Sequence, residues 1–172
     1  MNLYEKIRVI EDFPQKGVSF KDITTLLKDK DAFAYMVDTL SKQIKDLDID
    51  IVVGPESRGF LVGAPVAYKI GAGFVPVRKH GKLPGDIIRY EYELEYGVDA
   101  LEIHKDAIQP GQNVAIIDDL LATGGTLLAT AKLIEELGGR VVSINFLIEL
   151  AYLKGRDKLT NYNVKTLMSY DE

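Results

Sequence analysis

The sequence predicts an α/β protein with a central parallel sheet flanked by helices. Residues 49–78 and 114–148 each run from an apolar segment, through apolar residues at helical spacing, to a second apolar segment. Apolar runs without polar alternation are typical of strands that are buried on both faces. Right-handed crossover connections between such strands would cover both faces of the sheet with helices. The two segments are therefore predicted to be βαβ units of one sheet.

The residues before the first unit are predicted to form short elements and one long helix. Residues 3–11 place apolar side chains at helical spacing, which favours a short amphipathic helix. Residues 18–23 alternate apolar and polar side chains, as a short strand or an extended loop does. Residues 31–47 carry a continuous apolar stripe, so we expect a helix there with Asp31 as its N-cap.

Each βαβ unit divides into a strand, a helix and a second strand. The helix of the first unit is rich in small residues and is expected to pack closely on the sheet. Gly138-Gly139 is expected to end the helix of the second unit, since glycine is favoured just after a helix. The predicted strands are 49–53, 73–78, 114–117 and 141–148, and the predicted helices are 60–70 and 126–137.

A different pattern lies between the two units. Ile87–Tyr92 and Ala100–His104 are rich in Tyr and Glu and poor in aliphatic residues, and they look like a β-ribbon. A ribbon that follows a sheet strand on the ligand side is a candidate lid. After the second unit, residues 153–159 are expected to form a short turn of helix and residues 163–168 an edge strand.

Composition narrows the range of functions. The chain has 172 residues, 47% of them hydrophobic, which suits one domain over 1–172 with an ordinary core. A net charge of −5 argues against a nucleic-acid partner, because such proteins are usually basic. Cysteine is absent, which excludes thiolate catalysis, and only two histidines are present, which disfavours a His-rich metal site. No apolar run is long enough to cross a bilayer and no signal sequence is found, so we expect no membrane partner and a cytoplasmic location.

The stretch Val114–Thr126 carries the clearest functional pattern. Asp118 and Asp119 stand where the predicted strand ends, and a short loop with paired glycines leads to the helix that Thr126 opens. A loop of this kind at a helix N-terminus binds anions through free N–H groups and the helix dipole. The two carboxylates suit ribose hydroxyls, a divalent metal, or both. The stretch has neither the glycine spacing of a dinucleotide-binding loop nor the lysine of a P-loop.

Two further loops follow predicted strands and carry cations. Glu56-Ser57-Arg58-Gly59 comes after strand 49–53, and the basic run Arg78-Lys79-His80-Gly81-Lys82 begins as strand 73–78 ends. In an open α/β sheet ligands bind at the carboxyl ends of the strands, so these loops are expected to face one crevice. A basic cluster in that position, in an acidic protein, favours a polyanionic ligand.

The run Asp-Asp-Leu-Leu-Ala-Thr-Gly-Gly-Thr over 118–126 resembles the 5-phosphoribosyl-1-pyrophosphate signature of the type I phosphoribosyltransferases, in the form seen in their adenine-specific branch. The resemblance covers nearly the whole chain, and it implies the type I phosphoribosyltransferase fold with an N-terminal hood over 1–30 and a β-ribbon lid over 85–105. It extends to Phe13-Pro14, Gly17-Val18, Phe20-Lys21-Asp22-Ile23, Ser57-Arg58-Gly59-Phe60, Arg78–Gly85, Leu94-Glu95-Tyr96-Gly97 and Leu153-Lys154-Gly155-Arg156.

The resemblance implies a site for each part of the phosphoribosyl donor. The 5′-phosphate would be held by Ala122, Thr123, Gly124, Gly125 and Thr126. The ribose hydroxyls would be held by the catalytic pair Asp118 and Asp119, directly or through Mg²⁺. The pyrophosphate would be bound by Glu56, Ser57, Arg58, Arg78, Lys79 and Lys82. The family also implies a cis peptide bond, here Glu56–Ser57, in a loop where its members commonly have Asp at the position of Glu56.

The same resemblance places base recognition near the N-terminus and a closing loop in the ribbon. Ser19, Phe20 and Lys21 would contact adenine through backbone groups and the aromatic ring. Glu95 would reach the base and the ribose, as a positioning group or a general base. The implied reaction is transfer of the 5-phosphoribosyl group from 5-phosphoribosyl-1-pyrophosphate to adenine, giving AMP and pyrophosphate, in a homodimer.

Two alternatives stay open on the sequence. One keeps the fold and changes the base to hypoxanthine, guanine or xanthine. The base segment at 13–23 argues against it, because the 6-oxopurine enzymes recognise the base nearer their C-terminus. The other is a regulator that binds the donor without doing chemistry. It would need a nucleic-acid-binding face, for which an acidic chain of this length has little room.

Overall fold

The computed structural model describes residues 1–94 and 97–171, and a seven-stranded sheet forms its centre. The strands, including a small N-terminal pair, are β1 (Arg8–Ile10), β2 (Phe20–Asp22), β3 (Ile51–Pro55), β4 (Gly73–Lys79), β5 (Ile87–Leu94), β6 (Gly97–His104), β7 (Asn113–Leu121), β8 (Arg140–Leu150) and β9 (Val164–Tyr170). The helices are α1 (Thr24–Leu27), α2 (Lys30–Ile44), α3 (Arg58–Ile70) and α4 (Gly125–Glu136), with 3₁₀ turns at Tyr4–Lys6, Ala151–Leu153 and Gly155–Leu159. Within this part of the chain, none of the helices is both long and apolar enough to cross a membrane.

The order of strands in the sheet is β5-β6-β4-β3-β7-β8-β9. β4, β3, β7, β8 and β9 run parallel, whereas β6 is antiparallel to both β4 and β5. The predicted pair of βαβ units in one mainly parallel sheet is thus confirmed. The chain crosses from β3 to β4 on one side and from β7 to β8 on the other. The strand order therefore reverses between β3 and β7, and the crevice at their carboxyl ends is where such sheets bind ligands.

Both faces of the sheet are covered, which explains the apolar runs of its central strands. Val52, Ala115 and Ile117 belong to the core that the sheet shares with α1, α2 and α3. Val53 and Ile116 belong to the core on the other face, which α4 covers. Successive side chains of a strand point to opposite faces, so a strand covered on both sides is apolar at every position.

The ribbon and the C-terminal edge strand form where they were predicted. β5 and β6 pair along their whole length, and β6 also pairs with the end of β4, where Arg78 lies opposite Glu102. The ribbon is therefore an extension of the main sheet. β9 lies at the sheet edge, parallel to β8, and the predicted helical turn at 153–159 consists of 3₁₀ turns.

The prediction of a helix over 3–11 is wrong. That segment is a 3₁₀ turn followed by β1, which pairs antiparallel with β2. Among its apolar residues only Leu3 and Ile7 are well buried. An isolated helix this short is also marginal in water. The Arg8 side chain forms an ion pair with Asp22, which fastens β1 to its partner strand.

The N-cap of α2 also differs from the prediction. The helix begins after Asp29, whose Oδ1 accepts hydrogen bonds of 3.1 Å from the N–H groups of Asp31 and Ala32. Asp31 lies in the first turn of the helix, so the prediction that it is the N-cap is wrong. Both aspartates precede the same apolar stripe, and the sequence alone does not separate them.

β7 is longer than predicted, whereas the end of α4 is as predicted. β7 continues through the two carboxylates to Leu121, because it pairs with the longer strand β8 as far as Glu149. At the end of α4, the N–H of Gly139 donates to the carbonyl of Ile134 at 3.0 Å. Gly138 has a φ of 85°, which glycine adopts without strain.

Replacing Asp29 with Ala should lower the stability of the fold at neutral pH. The carboxylate caps α2 and also pairs with Lys6 at 2.7 Å, and these contacts, led by the Lys6 hydrogen bond, hold its pKa below the ordinary value. A pKa lowered by folding stabilises the fold above the unfolded-state pKa, and this contribution is lost as the pH falls through the folded-state value. The wild-type advantage in urea midpoint should therefore shrink between about pH 5 and pH 3.

Asp31→Ala is the control for this prediction. It removes an acidic side chain from the same turn but no capping hydrogen bond, so its urea midpoint should stay close to the wild-type value. Equal losses in the two variants would contradict the assignment of Asp29 as the cap.

Candidate active site

Two adjacent carboxylates form the floor of the crevice between β3 and β7. Asp118 and Asp119 are only 8% and 4% exposed. The backbone N–H of Asp119 donates to Oδ1 of Asp118 at 2.8 Å, and Nε of Arg58 lies 2.8 Å from Oδ2 of Asp119. Gly59 permits the close approach of α3, since a Cβ there would lie 2.8 Å from Oδ1 of Asp118. The β3–α3 loop and β7 therefore meet at this pair.

Burial raises the pKa of both carboxyl groups. At Asp118 the charge of Asp119 raises it further, whereas at Asp119 the Arg58 guanidinium opposes the shift. The Arg58 contact is an ion pair without hydrogen-bond geometry, so Oδ2 of Asp119 has no hydrogen-bond partner among residues 1–94 and 97–171. Apart from this ion pair with Arg58, the oxygen can still accept a hydrogen bond from a hydroxyl group of a ligand.

The loop between β7 and α4 ends in an uncapped helix N-terminus. Gly124 is the N-cap residue, has a φ of 81°, and provides no side-chain cap. The first N–H groups of a helix have no partners within the helix, and here no capping side chain satisfies them. Since they lie at the positive end of the helix dipole, they form an anion site.

The β3–α3 loop and the end of β4 are joined through one carboxylate. Nε of Arg78 and Nζ of Lys82 each donate to Glu56 at 2.9 Å. Burial opposes the charge of Glu56, but the hydrogen bonds from Lys82 and Arg78 outweigh it and lower its pKa. The peptide bond between Glu56 and Ser57 is cis, as expected.

The β3–α3 and β7–α4 loops line one open cavity of about 210 Å³. It brings together many of the residues that the sequence singled out, and Arg78 and Lys82 join it through Glu56. Lys79 instead points towards the ribbon, with Nζ 3.9 Å from Asp99. The residues lining the cavity are Glu56, Ser57, Arg58, Asp118, Asp119, Leu120, Ala122, Thr123, Gly124, Gly125, Thr126 and Leu127.

The N-terminal segment reaches the cavity through one aromatic ring. The Arg58 guanidinium carbon lies 5.1 Å from the centroid of the Phe20 ring, within cation–π distance. The Lys21 side chain is buried elsewhere: its Nζ donates to Ser19 Oγ at 2.9 Å and lies 4.6 Å from the centroid of the Tyr170 ring. Phe20 therefore meets Arg58 of the β3–α3 loop, while the side chains of Ser19 and Lys21 bond to each other.

Known proteins with similar sequences have the same organisation. The family model described as the phosphoribosyl transferase domain matches residues 23–169. The chain is 78% identical to the adenine phosphoribosyltransferase of Alkaliphilus metalliredigens, over 99% of this chain and 100% of that protein. The chain belongs to the adenine phosphoribosyltransferase family.

Solved structures of adenine phosphoribosyltransferases have the same fold, which confirms the predicted type I phosphoribosyltransferase fold. The crystal structure from Thermoanaerobacter pseudethanolicus is 57% identical, with a TM-score of 0.95 over 98% of each chain. The adenine phosphoribosyltransferase of Trypanosoma brucei, crystallised with AMP, pyrophosphate and ribose-5-phosphate, is 25% identical. Its TM-score is 0.87, over 96% of this chain and 76% of that one.

The ribbon contributes one contact to the site that the sequence did not predict. The Tyr92 hydroxyl lies 3.4 Å from Thr126 Oγ1 and 3.4 Å from Asp99 Oδ2, and burial raises its pKa. The only signal was the tyrosine-rich character of β5. Glu95, predicted to be catalytic, lies outside the described residues.

A second missed residue is Glu102, which supports the basic turn that follows β4. Its carboxylate, 2% exposed, lies 2.6 Å from Nδ1 of His80 and accepts hydrogen bonds from the Gly81 N–H at 3.0 Å and from Arg89 Nε at 3.2 Å. The His80 contact is the main cause of its lowered pKa. A glutamate between two apolar residues of a strand ordinarily faces solvent, so the sequence carries no local signal for the burial of Glu102.

Proposed function

We propose that this chain transfers the 5-phosphoribosyl group from 5-phosphoribosyl-1-pyrophosphate to N9 of adenine, releasing AMP and pyrophosphate, in purine salvage. The observation that carries the proposal is one cavity in which an uncapped helix N-terminus, two buried carboxylates and Arg58 meet, with Arg78 and Lys82 bound to Glu56 of its lining. These are the groups that a phosphate, a ribose and a pyrophosphate each require. Membership of the adenine phosphoribosyltransferase family assigns the base.

The 5′-phosphate is assigned to residues Ala122–Thr126. Their N–H groups converge at the positive end of α4, and the hydroxyls of Thr123 and Thr126 add donors. Such a site holds one end of the donor while the reacting carbon remains free to move towards the base.

The ribose is assigned to Asp118 and Asp119. Burial raises the pKa of each carboxyl group, and Oδ2 of Asp119 lacks a hydrogen-bond partner, so hydroxyl donors or a cation are favourable there.

The same pair fits Mg²⁺, which we propose as the cofactor. No cluster of three or more metal-ligating side chains occurs in residues 1–94 and 97–171. Mg²⁺ is usually held by one or two carboxylates, with substrate oxygens and water completing its shell. When bound, directly or through water, it would neutralise charge on the pyrophosphate.

The pyrophosphate is assigned to the cationic side of the cavity. Backbone groups at Glu56-Ser57 and the side chains of Arg58, Arg78 and Lys82 provide the donors. Lys79 would join them only by turning away from Asp99, towards which it points in the structure. The Glu56 carboxylate holds Arg78 and Lys82 at 2.9 Å, so its role is to orient two of these cations. Cations held ready at the leaving group stabilise the negative charge that develops as it departs.

Adenine is assigned to the hood segment, residues 1–30. Backbone groups of Ser19, Phe20 and Lys21 would read the edge of the base, and the Phe20 ring would cover its face. The contact between Phe20 and Arg58 supports this assignment, because it places the hood beside the pyrophosphate loop.

The reaction needs positioning and charge stabilisation rather than a protein nucleophile. The C1–O bond breaks and its electron pair leaves with the pyrophosphate, so positive charge builds on the ribose. N9 of adenine then bonds to C1 and gives up its proton, which Glu95 accepts or helps to place. The ribbon over 85–105 closes as a lid that keeps water from the activated sugar.

We also propose that the enzyme is a cytoplasmic homodimer. Leu61 and Tyr68 lie two turns apart on α3 and are 50% and 89% exposed, which leaves an apolar stripe for a second copy. The donor and product are phosphorylated and do not cross membranes passively, which supports a location inside the cell. Light scattering should give the dimer mass, and Tyr68→Lys combined with Leu61→Glu should give the monomer mass.

A purine assay tests the function directly. The purified chain is incubated with the donor, Mg²⁺ and each purine base in turn. We expect AMP from adenine and no nucleotide from hypoxanthine, guanine or xanthine. Product from a 6-oxopurine would assign a different base, and donor binding without any product would favour a sensor.

Replacing both Asp118 and Asp119 with Asn should lower turnover by about 100-fold or more, because groups aimed at the developing charge are lost. The urea midpoint should not fall, since two buried, mutually repelling carboxylates oppose folding. Asp50→Asn is the control: this carboxylate accepts the N–H of Asn113 at 2.7 Å at the opposite end of the same strands, and its loss should leave turnover unchanged. Near-normal turnover in the double variant would refute the roles of the pair.

Glu95→Ala should lower kcat more than it weakens donor binding, because the lid residue acts on the reacting base and ribose. Steady-state kinetics with both substrates varied separates the two effects. Glu93→Ala, an exposed glutamate on β5, should behave like wild type. A variant at Glu95 that only lowers the urea midpoint would contradict the assignment.

A further inference from the structure

The second of the two 3₁₀ turns that follow β8, Gly155–Leu159, packs directly against the backbone of residues 122–124, part of the loop assigned to the 5′-phosphate (the phosphate loop). A Cβ built on Gly155 would lie 2.2 Å from the carbonyl oxygen of Ala122, far below the 3.0 Å limit of real contacts. A Cβ built on Gly124 would lie 2.5 Å from the carbonyl oxygen of Gly155. The two segments therefore meet as bare backbone, with no room for a side chain on either.

The same turn is anchored to the sheet by an ion pair between half-exposed Arg156 and buried Glu149. Arg156 donates from Nε to Oε1 of Glu149 at 2.6 Å and from Nη2 to Oε2 at 2.7 Å, and its Nη1 donates to the Val164 carbonyl at 2.9 Å. Glu149 lies on β8 opposite Leu121, the residue at which β7 ends. A bidentate pair of this kind fixes both distance and orientation. Arg156 thus holds the turn at the level where the phosphate loop begins.

The phosphate loop needs support from outside itself. It contains two glycines, its N-cap provides no side-chain hydrogen bond, and Gly124 has a φ of 81°. Glycine loses more conformational freedom on ordering than any other residue, so a glycine-rich loop is soft unless neighbours restrain it. An anion site built from N–H groups works only when those groups converge on one point.

We propose that Gly155 and Arg156 are positioning residues for the 5′-phosphate. The segment Lys154–Arg156 is a backstop: Gly155 sets how far the loop at Ala122–Gly124 can recede from the cavity, and Arg156 keeps the segment in place through Glu149. Neither residue lines the cavity, so both act through the loop. The inference rests on the proposed function, because it takes the loop to be the phosphate site.

Gly155→Ala tests the backstop. Gly155 does not have a positive φ, so alanine adds a steric contact rather than backbone strain. The loop must move by almost an ångström to lengthen this contact from 2.2 Å to the 3.0 Å limit. A displacement of that size can lower the reaction rate by about 100-fold. We expect KM for the donor to rise by about tenfold or more, with KM for adenine near the wild-type value. Calorimetry should show the same loss of affinity for ribose 5-phosphate alone.

Gly139→Ala is the matched control. It also lacks a positive φ, and its Cβ would meet Ile108 at 2.7 Å and Ile134 at 2.8 Å at the far end of α4. It should lower the urea midpoint without changing either KM. Equal KM values for the donor in the two glycine variants would overturn the proposal, as would a Gly155→Ala enzyme in which both substrates weaken alike.

Arg156→Lys keeps the proposal falsifiable if Gly155→Ala does not fold. Lysine retains the charge but loses the two-pronged contact with Glu149, so donor affinity should fall by a few-fold while adenine affinity is kept. Unchanged affinity for ribose 5-phosphate would overturn the backstop. A wild-type chain that makes no AMP would refute the proposed function instead, and ribose 5-phosphate binding would still test the backstop.

Discussion

The pairing of β3 with β7 is the constraint on which the site depends. It makes the strand order reverse between these strands, so the β3–α3 and β7–α4 loops leave the sheet side by side. Arg58 can therefore lie 2.8 Å from Asp119 although the two residues are far apart in sequence. If either βαβ unit were attached elsewhere, the cations and the carboxylates would face different crevices. The covered faces that make both strands apolar are also what bury the carboxylates.

Buried acids hold the cations of the site. Glu56 holds Arg78 and Lys82, and Glu102 holds the turn around His80. Each carboxylate is nearly inaccessible, so its partners are oriented by it rather than left to sample solvent. An acidic protein can in this way present a basic face at one edge of its sheet, because its negative charges lie behind that face.

The extent to which the fold was predictable follows the length of each pattern. The apolar runs of β3 and β7 and the stripe of α2 extend over several turns or whole strands, and they gave the correct elements. The pattern at 3–11 offered few apolar positions, and pairing with β2 decided its structure instead. Asp29 and Asp31 are equally good caps on paper, and only the backbone geometry separates them.

Only part of the site could likewise be predicted from the sequence. Asp118, Asp119 and the loop to Thr126 are contiguous in sequence, so their proximity was predictable from the chain alone. Tyr92 meets Thr126, which is 34 residues away, and Glu102 meets His80, which is 22 residues away. Gly155 meets the bare backbone of Ala122, and no local pattern reports such contacts. In the sequence, Leu153-Lys154-Gly155-Arg156 shows a family resemblance but no local pattern that indicates a physical role.

The contacts of Glu56 bear on selectivity in a cell that is crowded with anions. Its carboxylate already occupies Arg78 and Lys82, so a stray phosphate, carboxylate or nucleic-acid strand must compete with an internal partner for each cation. An anion that binds only at these two cations gains little free energy when it replaces the Glu56 carboxylate. In the proposed function, a pyrophosphate whose sugar and 5′-phosphate are held at the same time would have a high effective concentration at these cations and would displace the carboxylate. In that function the Glu56 carboxylate would set a threshold that a donor bound at several points passes and a simple anion does not.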